Sequence, residues 1–330
     1  MRPARLPVAA LFLAAALTPL SALTLKIATL APEGSPWVVG LRRTAGEWER
    51  ISGGQVSLKI YAGGIAGEEP DMVRKLRIGQ LQGAALTQLG LGLLEPDILA
   101  VSVPFLVRDE DELDHLLAAA RTRYAEPFAR RGYLLAALPK AGWVHFFARE
   151  PVARPADLRR LKLAVPGDDP LFVEVWRRMG FNAFSLSFND LLMGLQAGLA
   201  DACYAPLLAA ASFQWFGSAR YMPELPVAPV LGGILLSERA LEQAPAELRP
   251  ALLAAFAELE SSLNRQMLSL EAEALAAMRR HGLVVVPVPP EAAAEWRDLA
   301  SSGSSLVIGK SFSLESFEWV RGTLEAYRRR

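Results

Sequence analysis

Three histidines (His115, His145 and His281) and one cysteine (Cys203) are the side chains here best suited to act as nucleophile, general base or metal ligand. Local metal sites need such residues close together in sequence, and these histidines are scattered along the chain. A single cysteine excludes an intramolecular disulfide and any multi-cysteine metal or redox centre. Flanked by Ala202 and Tyr204, Cys203 reads as a buried, inert thiol. His145 interrupts an aromatic strand at 143–147 and reads as structural, whereas His115 and His281 fall on solvated helix faces. The acid pairs Glu68-Glu69 and Asp168-Asp169 stand where helix N-termini are expected, a position the helix dipole favours for negative charge. There is no Gly-x-Ser-x-Gly elbow, no His-Glu-x-x-His and no phosphate loop ending in Gly-Lys-Ser/Thr. Gly90-Leu91-Gly92 lacks the third glycine of a dinucleotide fingerprint and reads as a loop. No enzyme, cofactor or metal is expected from these residues.

The elements that would position a site alternate short apolar strands with amphipathic helices, the pattern of an α/β chain with largely parallel pairing. Strands are expected at 25–30, 55–61, 83–87, 133–139, 145–148, 162–165, 183–185, 233–237 and 283–288. Ser35 with Pro36 behind it predicts a helix start, and Gly53-Gly54 its end. Further helices are expected at 69–78, 110–120, 123–131, 170–179, 189–196 and 207–215, with a terminal helical region after Pro289-Pro290. From Leu252 to Met278, apolar residues recur every three to five positions, which marks one long helix over about 251–282. At 1.5 Å per residue it would be roughly 45 Å long, more than one lobe can cover, so it is expected to brace two. The expected division is lobe I at 23–143 and 231–250, and lobe II at 144–230 and 283–330. No Pro/Ser-rich linker separates them, so shared strands and a hinge are expected.

Length and composition fit this picture. The 330 residues are 52% hydrophobic and 21% charged, which argues against disorder. With 35 basic and 35 acidic side chains there is no one-signed excess to wrap nucleic acid, so that partner class is set aside. Arg2 and Arg5 precede an apolar run at 6–17, then Thr18-Pro19 and the small residues before Leu23. This order is that of a secretory signal at 1–22, and the run is shorter than the roughly 20 residues a membrane anchor needs. The expected mature chain is exported, soluble and periplasmic.

Several segments, in order along the chain, resemble the substrate-binding subunits of TRAP (tripartite ATP-independent periplasmic) transporters. They are 29–37 (Thr-Leu-Ala-Pro-Glu-Gly-Ser-Pro-Trp), the glycine-rich 60–67, 77–83 and Val103-Pro104-Phe105-Leu106. His145-Phe146-Phe147, Asp157-Leu158 with Leu161-Lys162-Leu163, and Leu195-Gln196-Ala197-Gly198 with Asp201 complete the set. The resemblance implies a two-lobe α/β periplasmic binding fold with crossing strands and a long bracing helix. It also implies capture of a small-molecule ligand and delivery to integral-membrane TRAP subunits driven by an ion gradient.

Three positions depart from the family pattern. Members that hold organic acids do so with an arginine in a strand reading Lys-Ile-Arg, where this chain reads Lys162-Leu163-Ala164. Alanine cannot replace a bidentate guanidinium. Val144 stands where many members place a basic residue. Ala205 falls in Ala202-Cys203-Tyr204-Ala205-Pro206, where the family commonly reads Gly-Gln-Glu-Asn-Pro. An unpaired arginine in a dry cleft is unfavourable when the ligand has no anion, so these losses lead to an expected apolar or amphipathic ligand. Trp37, Trp143, Phe188, Tyr204, Phe213 and Trp215 are the aromatics expected near the cleft. Gln88 and Glu33 occupy strand-to-helix positions where open α/β sheets bind ligands.

Other readings stay open at this point. An organic acid could be held by another cation, with Lys162 first because it shares a strand face with Ala164. The cleft could have degenerated, leaving a scaffold or sensor that docks another periplasmic protein. Glu33 with His145 is the pair an enzyme would use.

Overall fold

The computed structural model describes residues 22–166 and 170–329. The expected leader, apart from Ala22, and the expected helix start at Asp168-Asp169 lie outside the described residues. Eleven strands form one extended sheet among the described residues: β1 (Leu23–Thr29), β2 (Val56–Tyr61), β3 (Gly83–Thr87), β4 (Tyr133–Ala137), β5 (Lys140–Ala148), β6 (Lys162–Pro166), β7 (Asn182–Leu186), β8 (Ala202–Pro206), β9 (Tyr221–Pro223), β10 (Ala228–Ser237) and β11 (Val284–Val286). The order along the main path is β2-β1-β3-β10-β5-β8-β6-β7. β1 is parallel to β2 and β3, and β6 is parallel to β7 and β8.

β10 joins the two halves. Its residues Gly232 to Leu236 run antiparallel to β3, while Ala228 to Leu231 run antiparallel to β5. Nine of its ten positions are buried, so it is apolar almost throughout, as a strand covered on both faces must be. The sheet thus crosses between halves on a strand fixed on both sides.

The helices form where caps and periodicity place them. Ser35 accepts from the Val38 N–H, Pro36 opens the Pro36–Ser52 helix, and Gly53 closes it in the left-handed conformation at φ 58°. The long helix runs Arg249–Arg280. Leu252, Phe256, Leu259 and Leu263 pack into the core beneath β1, while Met278 enters the core beneath β8. The same helix serves the crossing segment with hydrogen bonds. Glu260 accepts from the Leu138 N–H (2.9 Å), Asn264 from Lys140 (2.8 Å) and Glu271 from Trp143 (2.8 Å). These side chains pair N–H groups that the strands leave unused, which buried backbone requires. Gly142, at φ 96°, lets Glu271 approach, since a Cβ there would lie 2.3 Å from Glu271 Oε1.

The strand Tyr221–Pro223 and the helices Pro96–Ser102 and Pro155–Arg159 are not among the expected elements, and β10 starts at Ala228 where 233 is expected. Three further elements differ from expectation. The 110–120 and 123–131 helices are one helix, Glu110–Ala129, because Thr122 bonds back to the Ala118 carbonyl and does not break the turn. Gly90-Leu91-Gly92 is no loop but the end of a short helix, Gln88–Gly92, capped by Thr87. The chain after 283 stays with the second half only as far as the Pro290–Val307 helix, whose Trp296 packs with Val144 and Phe146. The Leu314–Arg328 helix returns to the Glu110–Ala129 helix, where Val320 and Leu324 share a core with Tyr124 and Phe128. Asp97 accepts from Ser313, and Arg328 pairs with Glu112 at 2.7 Å, fixing that return.

Candidate functional site

A cleft lies between the two halves, at the C-terminal ends of β1, β3 and β8 and against the crossing strands. It holds about 1060 Å³ of space free of atoms, part of it open to solvent. From the first half come Thr29, Trp37, Thr87 and Gln88, and from the second Val144, Phe188, Tyr204, Ala205 and Phe213. Gly232 of β10 forms the floor under Trp37. A Cβ at Gly232 would lie 1.9 Å from the Trp37 ring, so only glycine leaves room for the tip of the indole there.

The walls are mostly apolar, and the polar groups are few and specific. Glu69, at the start of the Glu69–Arg77 helix, is buried against the cleft. Its carboxylate accepts from the Thr87 N–H (2.5 Å) and hydroxyl (2.8 Å). Burial pushes its pKa up from the ordinary carboxylate value, opposed by the bonds from Thr87 and Gly90. Gly90 leaves the room this needs, because a Cβ there would lie 2.9 Å from Glu69 Oε2. Gln88 Oε1 is buried with no hydrogen-bond partner among the described residues. No arginine, lysine or histidine lines the cleft among the described residues.

Seven of the expected residues therefore line one cleft: Trp37, Gln88, Val144, Phe188, Tyr204, Ala205 and Phe213. Five others do not line it. Glu33 is exposed and paired with Arg42. Trp143 donates its indole N–H to Glu110 at 2.5 Å. Ala164 is fully buried in the core with Cys203 and Leu191. Trp215 lies behind the wall, stacked on Phe213 at 5.0 Å and edge-on to Phe188 at 5.0 Å. Lys162 donates to the Gly198 carbonyl and lies 3.7 Å from Asp201. It sits at the N-terminal end of β6, beside the start of β8, whereas the cleft lies at the far end of β8.

Neither His145 nor Cys203 lines the cleft among the described residues. His145 is buried with Nδ1 3.2 Å from the Pro223 carbonyl, and burial brings its pKa down to about 4. Cys203 is fully buried, and its thiol is pushed up to about 12. Thr29, Thr87 and Glu69 are lining residues that sequence reasoning missed, Glu69 because an acid at a helix N-terminus already had a sufficient explanation. The available signal was Gly90, whose missing side chain makes space for the carboxylate.

The family model for bacterial extracellular solute-binding proteins, family 7 (DctP), matches residues 27–303. This chain belongs to that family. A solute-binding protein of Roseobacter denitrificans is 26% identical over 193 residues, 56% of this chain and 57% of the relative, so the matched segment spans little more than half of that relative's length. The fold is that of the TRAP periplasmic solute-binding proteins. The Advenella mimigardefordensis sugar acid binding protein in complex with galactonate superposes with a TM-score of 0.85 at 16% identity, over 92% of this chain and 98% of that one. A Desulfovibrio salexigens TRAP solute-binding protein with bound orotic acid gives 0.82 at 19% identity, over 92% and 99%. The two-lobe α/β architecture expected from the sequence is the architecture of these family members.

Proposed function

We propose that this chain captures a small molecule outside the cytoplasm and delivers it to the membrane subunits of a TRAP-type transporter, and that its ligand is apolar or amphipathic. Export by a leader at 1–22 and a role as binder, not enzyme, belong to the same reading. The observation that carries the ligand chemistry is a lining without a cation among the described residues, combined with Lys162 held by Gly198 and Asp201 away from it. A carboxylate moved from water into such walls would lose its hydration without gaining a charge-assisted pair.

A second reading has an observation in its favour. The structural relatives hold orotic acid and galactonate, both organic acids. Under that reading the acid would be held by hydroxyls such as Thr29 and Thr87 and by the Gln88 amide. Native mass spectrometry of protein taken from the periplasm of its own host, followed by solvent extraction, separates the two. Recovery of an apolar or amphipathic molecule is expected; recovery of a short organic acid would establish the second reading.

A further inference from the structure

A second cavity, of about 910 Å³ of space free of atoms, lies beside the ligand cleft. Its walls come from Trp296, Ala300 and Val307 of the Pro290–Val307 helix, Trp176 of the Pro170–Arg178 helix, Leu99 and Phe146. No charged side chain lines it among the described residues.

The partition between the two spaces is thin. Gln88 and Leu89 line both. Opposite them, Tyr204 of the first cavity has its ring 5.8 Å from Trp176 and 6.2 Å from Phe146, which line the second. Val144 and Phe146, two positions apart on one face of β5, face the first and second cavity respectively. The polar groups follow the same line. Gln88 Oε1, at the partition, and Ser102 Oγ, within the second cavity, are buried without a hydrogen-bond partner among the described residues. Buried acceptors left unmatched are unfavourable, so a bound molecule that supplies a donor gains from both burial and pairing.

We infer that the two cavities are one elongated site, whose ligand is an uncharged linear amphiphile with its apolar chain running past Leu89 and Tyr204 and a hydrogen-bond donor on Gln88 Oε1. This rests on the apolar reading of the first cavity. The Glu69 carboxylate on the first wall and the lack of a lining cation disfavour an anionic head group.

The test is calorimetric binding of a series of straight-chain primary alcohols, hexanol to dodecanol, to the native protein and to Ala300→Phe, which fills the second cavity from a half-buried helix position. Ser304→Leu, on the same wall, serves if the first variant fails to fold. Each pair of added methylenes should raise native affinity about tenfold, through to dodecanol. In the filled variant the gain should stop at a shorter chain, with hexanol binding unchanged. An identical length limit in native and filled proteins would overturn the elongated site while leaving the apolar reading standing. Failure of every alcohol to bind the native protein would overturn both.

Discussion

Glu68 and Asn189 join the two sides of the cleft, with one carboxylate oxygen of Glu68 accepting from the Asn189 N–H at 3.2 Å and from its Nδ2 at 2.6 Å. Their sequence neighbours Glu69 and Phe188 are lining residues on opposite walls. The pair is thus a bond that exists only when the walls are close. Asn189→Ala removes the Nδ2 bond and keeps the backbone one, and should speed ligand dissociation and weaken binding by roughly two- to tenfold, the worth of one net hydrogen bond. The unfolding midpoint of the ligand-free protein should hardly move, because the site is exposed. Stopped-flow dissociation and thermal melts of the same variant check both halves of this expectation.

Two buried groups should give the protein opposing pH responses. Glu271 has its pKa raised by burial to about 7, above the ordinary 4.5, so its folded form holds a proton the unfolded form releases. Stability from this group falls as pH rises from about 4.5 to about 7, by about 3 kcal/mol at most. His145, lowered to about 4 from 6.5, acts the other way: stability is complete above about 6.5 and is lost as pH falls towards 4. Glu271→Gln keeps an acceptor for the Trp143 N–H and should be more stable than the native protein at alkaline pH. His145→Asn should flatten the acid limb. Urea melts across this range read both effects, and parallel profiles for all three proteins would contradict them.

Gly232→Ala places a methyl group 1.9 Å from the Trp37 ring. The indole must leave its place on the cleft floor, which should cost about 1–3 kcal/mol of stability by overpacking. A change in Trp37 environment, read by near-UV circular dichroism, should accompany weaker ligand binding. A variant with native stability and an unchanged spectrum would show that the floor yields elsewhere.

Much of the fold was legible because its signals are local. Ser35 with Pro36 marks a helix start through capping alone, and the spacing from Leu252 to Met278 marks the long helix through periodicity alone. The cleft was legible in part for the same reason, since Gln88, Val144 and Ala205 sit at or next to strand positions that topology brings together. What escaped depends on contacts between distant segments. Trp37 and Trp143 look alike in sequence, and only the Glu110 carboxylate draws the second one away. Lys162 shares a strand face with Ala164, but periodicity does not reveal that its ammonium reaches Gly198 at the opposite end of the strand from the cleft. The return of the Leu314–Arg328 helix to the first half is set by Asp97 and Glu112, more than two hundred residues earlier.

Whether a cleft without a lining cation can hold a carboxylate is decided most directly by calorimetric titration of the protein lacking residues 1–22 with galactonate and with orotate near neutral pH. Neither acid is expected to give a saturable isotherm, because no guanidinium or ammonium lines the cleft among the described residues. Saturable micromolar binding of either acid would contradict this, and its loss in Gln88→Ala would place the acid on the lining polar groups of the cleft.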